Sequence, residues 1–123
     1  MDILKEYPRE LVWVGNSRGN LKEFPSEVRT NMGYALRFAQ VGEKHPHAKP
    51  FKGLGSGVFE IVEDFRTDTY RAVYTVRFES AIYVLHAFQK KSKTGIKTPQ
   101  KDIDLISARY RRAKEMEDEK SKS

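Results

Sequence analysis

The chain has 123 residues, no cysteine, and a formal charge of +6 that arises from 23 Lys and Arg residues against 17 Asp and Glu residues. This length fits one domain, residues 1–123. The lack of cysteine excludes disulfides, thiolate metal sites and cysteine nucleophiles, and it favours the cytoplasm. We expect neither a signal peptide nor a membrane span, because no segment has the apolar length that either requires.

The first half of the chain predicts one strand and two helices. The apolar run at residues 11–14 predicts the strand, and Ser17 follows at the start of a short helix. Pro25 suits the first position of a longer helix that ends near Gly42. Its apolar residues recur with helical spacing and predict the face that meets the core: Val28, Met32, Ala35, Leu36 and Ala39. Residues 45–57 are rich in Pro and Gly, which predicts loops without regular structure.

Three strands are predicted next, at residues 58–63, 69–78 and 81–89. Their short separators predict antiparallel hairpins. In the second of these strands, the alternation places Tyr70 and Phe78 on the same face of the sheet.

The last predicted element is a helix that opens at Thr98 and Pro99 and docks on the core. Residues 115–123 have no apolar stripe and are predicted to be frayed, which leaves a core of about residues 11–114. The order β-α-α-β-β-β-α predicts an α+β fold in which helices pack on an antiparallel sheet.

The basic residues are unevenly distributed along the chain. No carboxylate occurs between Ser80 and Lys101, a segment that contains five lysines: Lys90, Lys91, Lys93, Lys97 and Lys101. Concentrated positive charge suits a polyanionic partner, either nucleic acid or an acidic protein.

Motifs for cofactor chemistry are missing from the sequence. The glycine-rich stretch at residues 53–57 lacks the lysine and the following helix of a nucleotide-binding loop. His45 and His47 lie two positions apart without a further His or Cys nearby to complete a zinc shell, and a solvated loop explains them. We therefore predict no metal and no cofactor.

Arg71 is the first candidate for chemistry, because it lies inside a strand, where arginine is rarely buried unless it is paired. It is either a surface or ion-paired residue, with Glu60 or Glu63 as the partner, or a ligand for phosphate. In the second case it converges with lysines at one sheet edge and offsets the charge of a pentavalent phosphorane. A lysine crowded by other cations has a lowered pKa and can move the protons of RNA cleavage without a metal.

Four segments resemble the HigB branch of the RelE/ParE toxin superfamily, a phage-derived family: LRFAQVGEKHP at 36–46, KPFKG at 49–53, YRAVY at 70–74 and VLHAFQKKSK at 84–93. The resemblance implies a RelE-like microbial ribonuclease fold and the toxin of a type II toxin–antitoxin system. Such a toxin is a metal-independent, ribosome-dependent endoribonuclease, or mRNA interferase, that cleaves mRNA in the ribosomal A site. The implied protein partner is a helix-turn-helix antitoxin of the HigA kind.

The resemblance also assigns the predicted catalytic residues. Arg71 matches the phosphate-contacting arginine, Lys52 matches a basic residue in the loop before the sheet, and Lys90 or Lys91 matches the basic position after the last strand. Further RNA contacts are predicted at basic residues around them: Lys49, His86, Lys93, Lys97 and Arg77.

The chain departs from the family pattern at two points. Several relatives use a Tyr or His near the chain end in catalysis, whereas only lysines follow the last strand here until Tyr110, which lies on an apolar helix stripe. Glu60 stands where some relatives have a basic residue, and it either lowers activity or orients Arg71. The sequence is also compatible with two alternative functions. One is a ParE-type toxin that binds and inhibits gyrase, and the other is a catalytically inactive member that only binds its antitoxin.

Overall fold

The computed structural model describes residues 7–90 and 97–122. In chain order these residues form β1 (Glu10–Trp13), α1 (Ser17–Lys22), α2 (Ser26–Gln40), β2 (Ala48–Pro50), β3 (Val58–Phe65), β4 (Asp68–Thr75), β5 (Ala81–Lys90) and α3 (Gln100–Ser121). No helix within these ranges has both the length and the apolar character to cross a membrane.

The strands form one five-stranded sheet in the order β1-β5-β4-β3-β2. Strands β2 to β5 pair with antiparallel neighbours, whereas β1 runs parallel to β5, with Glu10 opposite Ala81. The α+β class is confirmed. The sheet is largely antiparallel, as predicted, and mixed only at its β1 edge. Strand β1 can run parallel to β5 because a long crossover with α1, α2 and the other strands joins them.

Strand β2 lies in the segment for which the sequence predicted no regular structure. Its three residues pair with β3, and Pro50, opposite Phe59, lies at the free edge of the sheet. Proline is tolerated at an edge because its missing N–H is not needed there. The local pattern could not reveal this strand, because it exists only through its pairing with β3, and the observed order is therefore β-α-α-β-β-β-β-α.

Helices α1 and α2 cover one face of the sheet. α2 has Pro25 as its N-cap, and Gly42 follows its end with a φ of +85°, a conformation that favours glycine. The predicted apolar stripe of α2 is buried in full, against sheet residues such as Ile61 and Ala72: Val28, Met32, Ala35, Leu36 and Ala39.

Helix α3 covers the other face of the sheet and buries Ile106 and Ala113. It continues to Ser121, so the prediction that residues 115–123 are frayed is wrong for 115–121. Glu117 accepts a 2.9 Å hydrogen bond from the Tyr83 hydroxyl, and Lys120 donates to Glu10 at 3.2 Å. Polar contacts of this kind hold the end of α3 although it lacks an apolar stripe.

Strand β4 ends at Thr75, earlier than predicted, after a register irregularity between β4 and β5. Phe78, which was predicted to share a face with Tyr70, packs instead in the cluster under α3, with its ring 5.8 Å from that of Tyr83. The guanidinium of Arg9 donates to the backbone carbonyls of Val76, Phe78 and Ala81. These hydrogen bonds hold the segment between β4 and β5 outside the sheet.

Candidate nucleic-acid interface

Arg71, Glu60 and Lys90 lie on the face of the sheet that α3 covers. In the strand register, Arg71 is opposite Phe88 and Glu60 is opposite Val73. Opposed residues of antiparallel strands share a face, and both Phe88 and Val73 belong to the apolar cluster under α3. Lys90 follows Phe88 by two residues and therefore points to the same side.

Arg71 and Glu60 form an ion pair in which Arg71 Nη1 donates to Glu60 Oε1. Each of the two side chains is 12% exposed. Arg71 thus forms one of the two ion pairs that the sequence suggested, with Glu60, and this pair leaves its Nε open to another acceptor. Glu63 lies 2.8 Å from Nδ1 of His47 instead. Glu60 balances the charge of Arg71 and accepts from Nη1, but no described residue accepts a hydrogen bond from Nε.

Lys90 is a buried cation whose amino group has no hydrogen-bond partner among the described residues. The residue is 6% exposed, and its Nζ is buried. Burial lowers the pKa of Lys90, and the nearby positive charges of Arg71 and Lys49 lower it further, while Glu60 opposes them. The amine therefore loses its proton more readily than an ordinary lysine, and it shares an electrostatic environment with the Arg71–Glu60 pair.

Unpaired buried donors are concentrated at this site. Within residues 7–90 and 97–122, only three buried side-chain polar atoms lack a protein hydrogen-bond partner, namely Arg71 Nε, Lys90 Nζ and Arg9 Nε. Because such groups are rare in folded proteins, each calls for a reason. Two of the three lie side by side on one face of the sheet.

An open cleft of about 720 Å³ lies between the β2–β3 edge and the start of α3, and Glu60, the ion-pair partner of Arg71, is part of its lining. Its lining is cationic and apolar with a single carboxylate: Lys49, Pro50, Phe51, Lys52, Glu60, Lys97, Thr98, Gln100 and Ile103. The side chain of Phe51 is buried and its N–H donates to the Val58 carbonyl at 2.9 Å, so it anchors the segment that carries Lys49 and Lys52. Glu60 connects the cleft to Arg71.

His86 lies in a buried network rather than in the cleft lining. Its Nε2 is 2.8 Å from Asp102 Oδ1, and its Nδ1 is 3.3 Å from Arg109 Nη1. Because Arg109 can only donate, Nδ1 is the acceptor and Nε2 carries the proton that is donated to Asp102. Burial lowers the pKa of His86, Asp102 opposes this shift and Arg109 adds to it. His86 thereby joins β5 to α3.

The predicted site residues are brought together in part. Lys49, Lys52 and Lys97 line the cleft, and Arg71 and Lys90 adjoin it through Glu60 and Lys49. Arg77 is exposed beyond the end of β4 and lies against the turn that contains Gly55 and Gly57. Lys91 and Lys93 fall outside the described residues.

The sequence did not indicate the wall of the cleft that α3 provides. Thr98, Gln100 and Ile103 line it, although they are far in sequence from the basic loop at Lys49 and Lys52. The motif Thr98-Pro99 marked the start of the helix but not its position over the sheet. Within the described ranges, no group of three or more His, Cys, Asp or Glu residues is arranged to hold a metal ion.

Comparisons with known proteins give a family. No curated protein sequence matches the chain at a significant level. A chain in the crystal structure of the toxin–antitoxin complex RelBE2 from Mycobacterium tuberculosis is similar to this one, with 18% sequence identity and a TM-score of 0.41, over 72% of this chain and 98% of that chain. The profile of the family described as "Phage derived protein Gp49-like (DUF891)" matches residues 19–111. This match spans most of the chain, which therefore belongs to the phage-derived Gp49-like family.

Proposed function

We propose that this protein is the toxin of a type II toxin–antitoxin system and acts in the cytoplasm as a metal-independent endoribonuclease on mRNA in the ribosomal A site. The observation that carries the proposal is the pair of buried donors, Arg71 Nε and Lys90 Nζ, beside a cleft with three lysines. A buried donor without a partner costs about 1–3 kcal/mol. A phosphodiester would supply the missing acceptors and the missing negative charge.

The chemistry follows from the charges around the cleft. The 2′-oxygen of the RNA forms a bond to the adjacent phosphorus while the bond from phosphorus to the 5′-oxygen breaks. Arg71 and Lys90 stabilise the extra charge of the pentavalent transition state. The products are a 2′,3′-cyclic phosphate and a 5′-hydroxyl.

Two proton transfers accompany this displacement. In this proposal Glu60, the carboxylate of the cleft lining, accepts the proton of the 2′-hydroxyl. A lysine ammonium of the same lining, Lys49 or Lys52, would protonate the leaving 5′-oxygen. Glu60 would thus orient Arg71 and serve as the base, so its presence in place of a basic residue is compatible with activity.

The decisive experiment is inducible expression of the wild type and of Arg71→Ala in a bacterial host, with the 5′ ends of cellular mRNA mapped. We expect growth arrest and codon-registered cuts for the wild type. In Arg71→Ala the cuts should fall by about two to three orders of magnitude, as after the loss of one transition-state donor. Arg29→Ala, which removes an exposed arginine of α2 on the other face of the sheet, is the matched control and should cut like the wild type.

Other outcomes distinguish the alternative functions. Circular dichroism of the purified variants checks that Arg71→Ala is folded, and Arg71→Lys keeps the charge if the alanine variant is not. Growth arrest without RNA cuts would favour a protein target such as gyrase. No arrest by a folded wild-type protein would favour an inactive, antitoxin-binding role.

The same cationic lining suits the proposed protein partner. An acidic segment of a helix-turn-helix antitoxin of the HigA kind would be attracted to Lys49, Lys52 and Lys97 and would exclude RNA from the cleft. Coexpression with such a partner should therefore suppress both the growth arrest and the RNA cuts.

A further inference from the structure

The wall of the cleft formed by α3 differs chemically from the lysine-rich wall. At the α3 end, Gln100 and Ile103 supply an amide and an apolar side chain, and Thr98 and Lys97 precede them in the chain. Lys49 and Lys52 lie on the β2 side with Pro50 between them. Phosphates of RNA suit the lysines, and they do not need the α3 wall. The two α3 side chains of this wall, one apolar and one an amide, suit a nucleobase, which has an apolar plane and a polar edge.

The amide of Gln100, an exposed side chain in the first turn of α3, is oriented by a hydrogen bond to Asp104. Its Nε2 lies 2.8 Å from Oδ1 of Asp104, one turn further along α3. A carboxylate only accepts hydrogen bonds, so the NH₂ group must face Asp104 and cannot exchange places with the oxygen. The amide oxygen and the second N–H of Gln100 are then left for another partner. An acceptor and a donor side by side match the edge of a base in single-stranded RNA.

The position of the α3 wall is set by buried contacts with the sheet. Asp102, adjacent to Ile103, is hydrogen-bonded to His86 of β5, and Arg109 donates to the Leu85 carbonyl at 3.0 Å. Ile106 between them is completely buried. The distance from Ile103 on α3 to Pro50 on β2 is therefore determined by the fold. A site on rigid elements discriminates between ligands better than one on mobile loops.

We infer that the α3 end of the cleft binds one unstacked nucleobase, between Pro50 and Ile103, and that the amide of Gln100 reads its edge and sets a base preference at one position near the cut. The inference rests on the proposed function, since it names what that same cleft recognises. Asp104 is a positioning residue in this arrangement, because it orients the amide without contacting RNA.

The test compares the base frequencies around mapped mRNA cuts for the wild type, Gln100→Ala and Asp104→Asn. We expect a preference at one position for the wild type. This preference should fall by about 5- to 150-fold in Gln100→Ala, the range for the loss of one good two-bond contact, while cutting continues. Asp104→Asn should weaken the preference at the same position. Gln89→Ala, which removes an exposed glutamine of β5 opposite Tyr70 on the other face of the sheet, should change nothing.

The failure of this inference can be distinguished from the failure of the proposed function. Cuts with an unchanged preference in Gln100→Ala would overturn the base-reading role and leave the nuclease intact, as would a wild type that cuts without any preference. Loss of all cuts in a folded Gln100→Ala would also overturn it, because Gln100 would then be required for cleavage itself and not for base preference. A wild type that makes no cuts would overturn the proposed function itself and this inference with it.

Discussion

The two faces of the sheet differ in how they treat buried charge. Under α1 and α2 the buried cluster is apolar, and the two buried charges beside it have protein partners. Glu63 is paired with His47, and the guanidinium of Arg9 donates to three backbone carbonyls. Under α3 the apolar cluster is bordered by three buried ionisable residues, Glu60, His86 and Lys90. Burying charge costs free energy unless it is fully paired. Glu60 and His86 are paired as well, but the amine of Lys90 has no hydrogen-bond partner among the described residues. The α3 face therefore gives up stability at Lys90, where we propose chemistry.

Substitution in the α2 face should have the largest effect on stability. Met32 is completely buried in the cluster under α2, so Met32→Ala should lower the free energy of unfolding by about 2–5 kcal/mol. Met116 packs only partly buried under α3, and Met116→Ala should cost less. Urea unfolding of the two variants measures the difference. Equal losses would contradict the view that the α2 face carries most of the stability.

Substitution of Lys90 should raise the stability of the fold instead of lowering it. Lys90→Met removes a buried amine that has no protein partner, so the free energy of unfolding should rise by about 1–2 kcal/mol. RNA cleavage should fall in the same variant, because a transition-state cation is lost. Lys22→Met, at an exposed lysine of α1, is the matched control and should change stability by less than about 0.5 kcal/mol. A less stable Lys90→Met would show that the buried amine is satisfied in solution, and would weaken the proposed function.

The contrast between the faces also explains which parts of the fold could be predicted from the sequence. The stripe of α2 was predicted in full, because an apolar face with helical spacing is a local pattern. The strand β2, the parallel pairing of β1 and the end of α3 were not. Each of them depends on partners distant in sequence. The end of α3, for example, is held by the contact of Glu117 with Tyr83 and by that of Lys120 with Glu10.

The candidate site shows the same division. Arg71 was identified because an arginine inside a strand is rarely buried unless it is paired, whereas Lys90 was assigned by the family resemblance. His86 was predicted to contact RNA, and its burial against Asp102 depends on where α3 crosses β5. Gln100 is an ordinary exposed residue in the sequence, and only the position of the cleft makes it a candidate. Local chemistry could thus be predicted, but its spatial arrangement could not.

The smallest expected effect concerns pH and the junction between β5 and α3. The pKa of His86 is lowered from 6.5 by burial and by Arg109, against the opposing effect of Asp102. As the pH falls below 6.5, an unfolded chain takes up a proton that folded His86 does not, so the stability present above pH 6.5 is progressively lost towards the folded pKa. Protonation of Nδ1 would also remove the acceptor for Arg109. Urea midpoints measured from pH 8 to about pH 5 should show this decrease.

Two histidine variants isolate that effect from the general titration of carboxylates. His86→Gln should be less stable at pH 8 but should lose less stability between pH 7 and pH 5 than the wild type, whereas His45→Gln, in the loop before β2, should keep the wild-type decrease. If His86→Gln kept the full decrease, the titrating group would lie elsewhere. The junction would then hold α3 equally well with a charged His86, and the α3 face would resemble the α2 face more closely than its buried charges suggest.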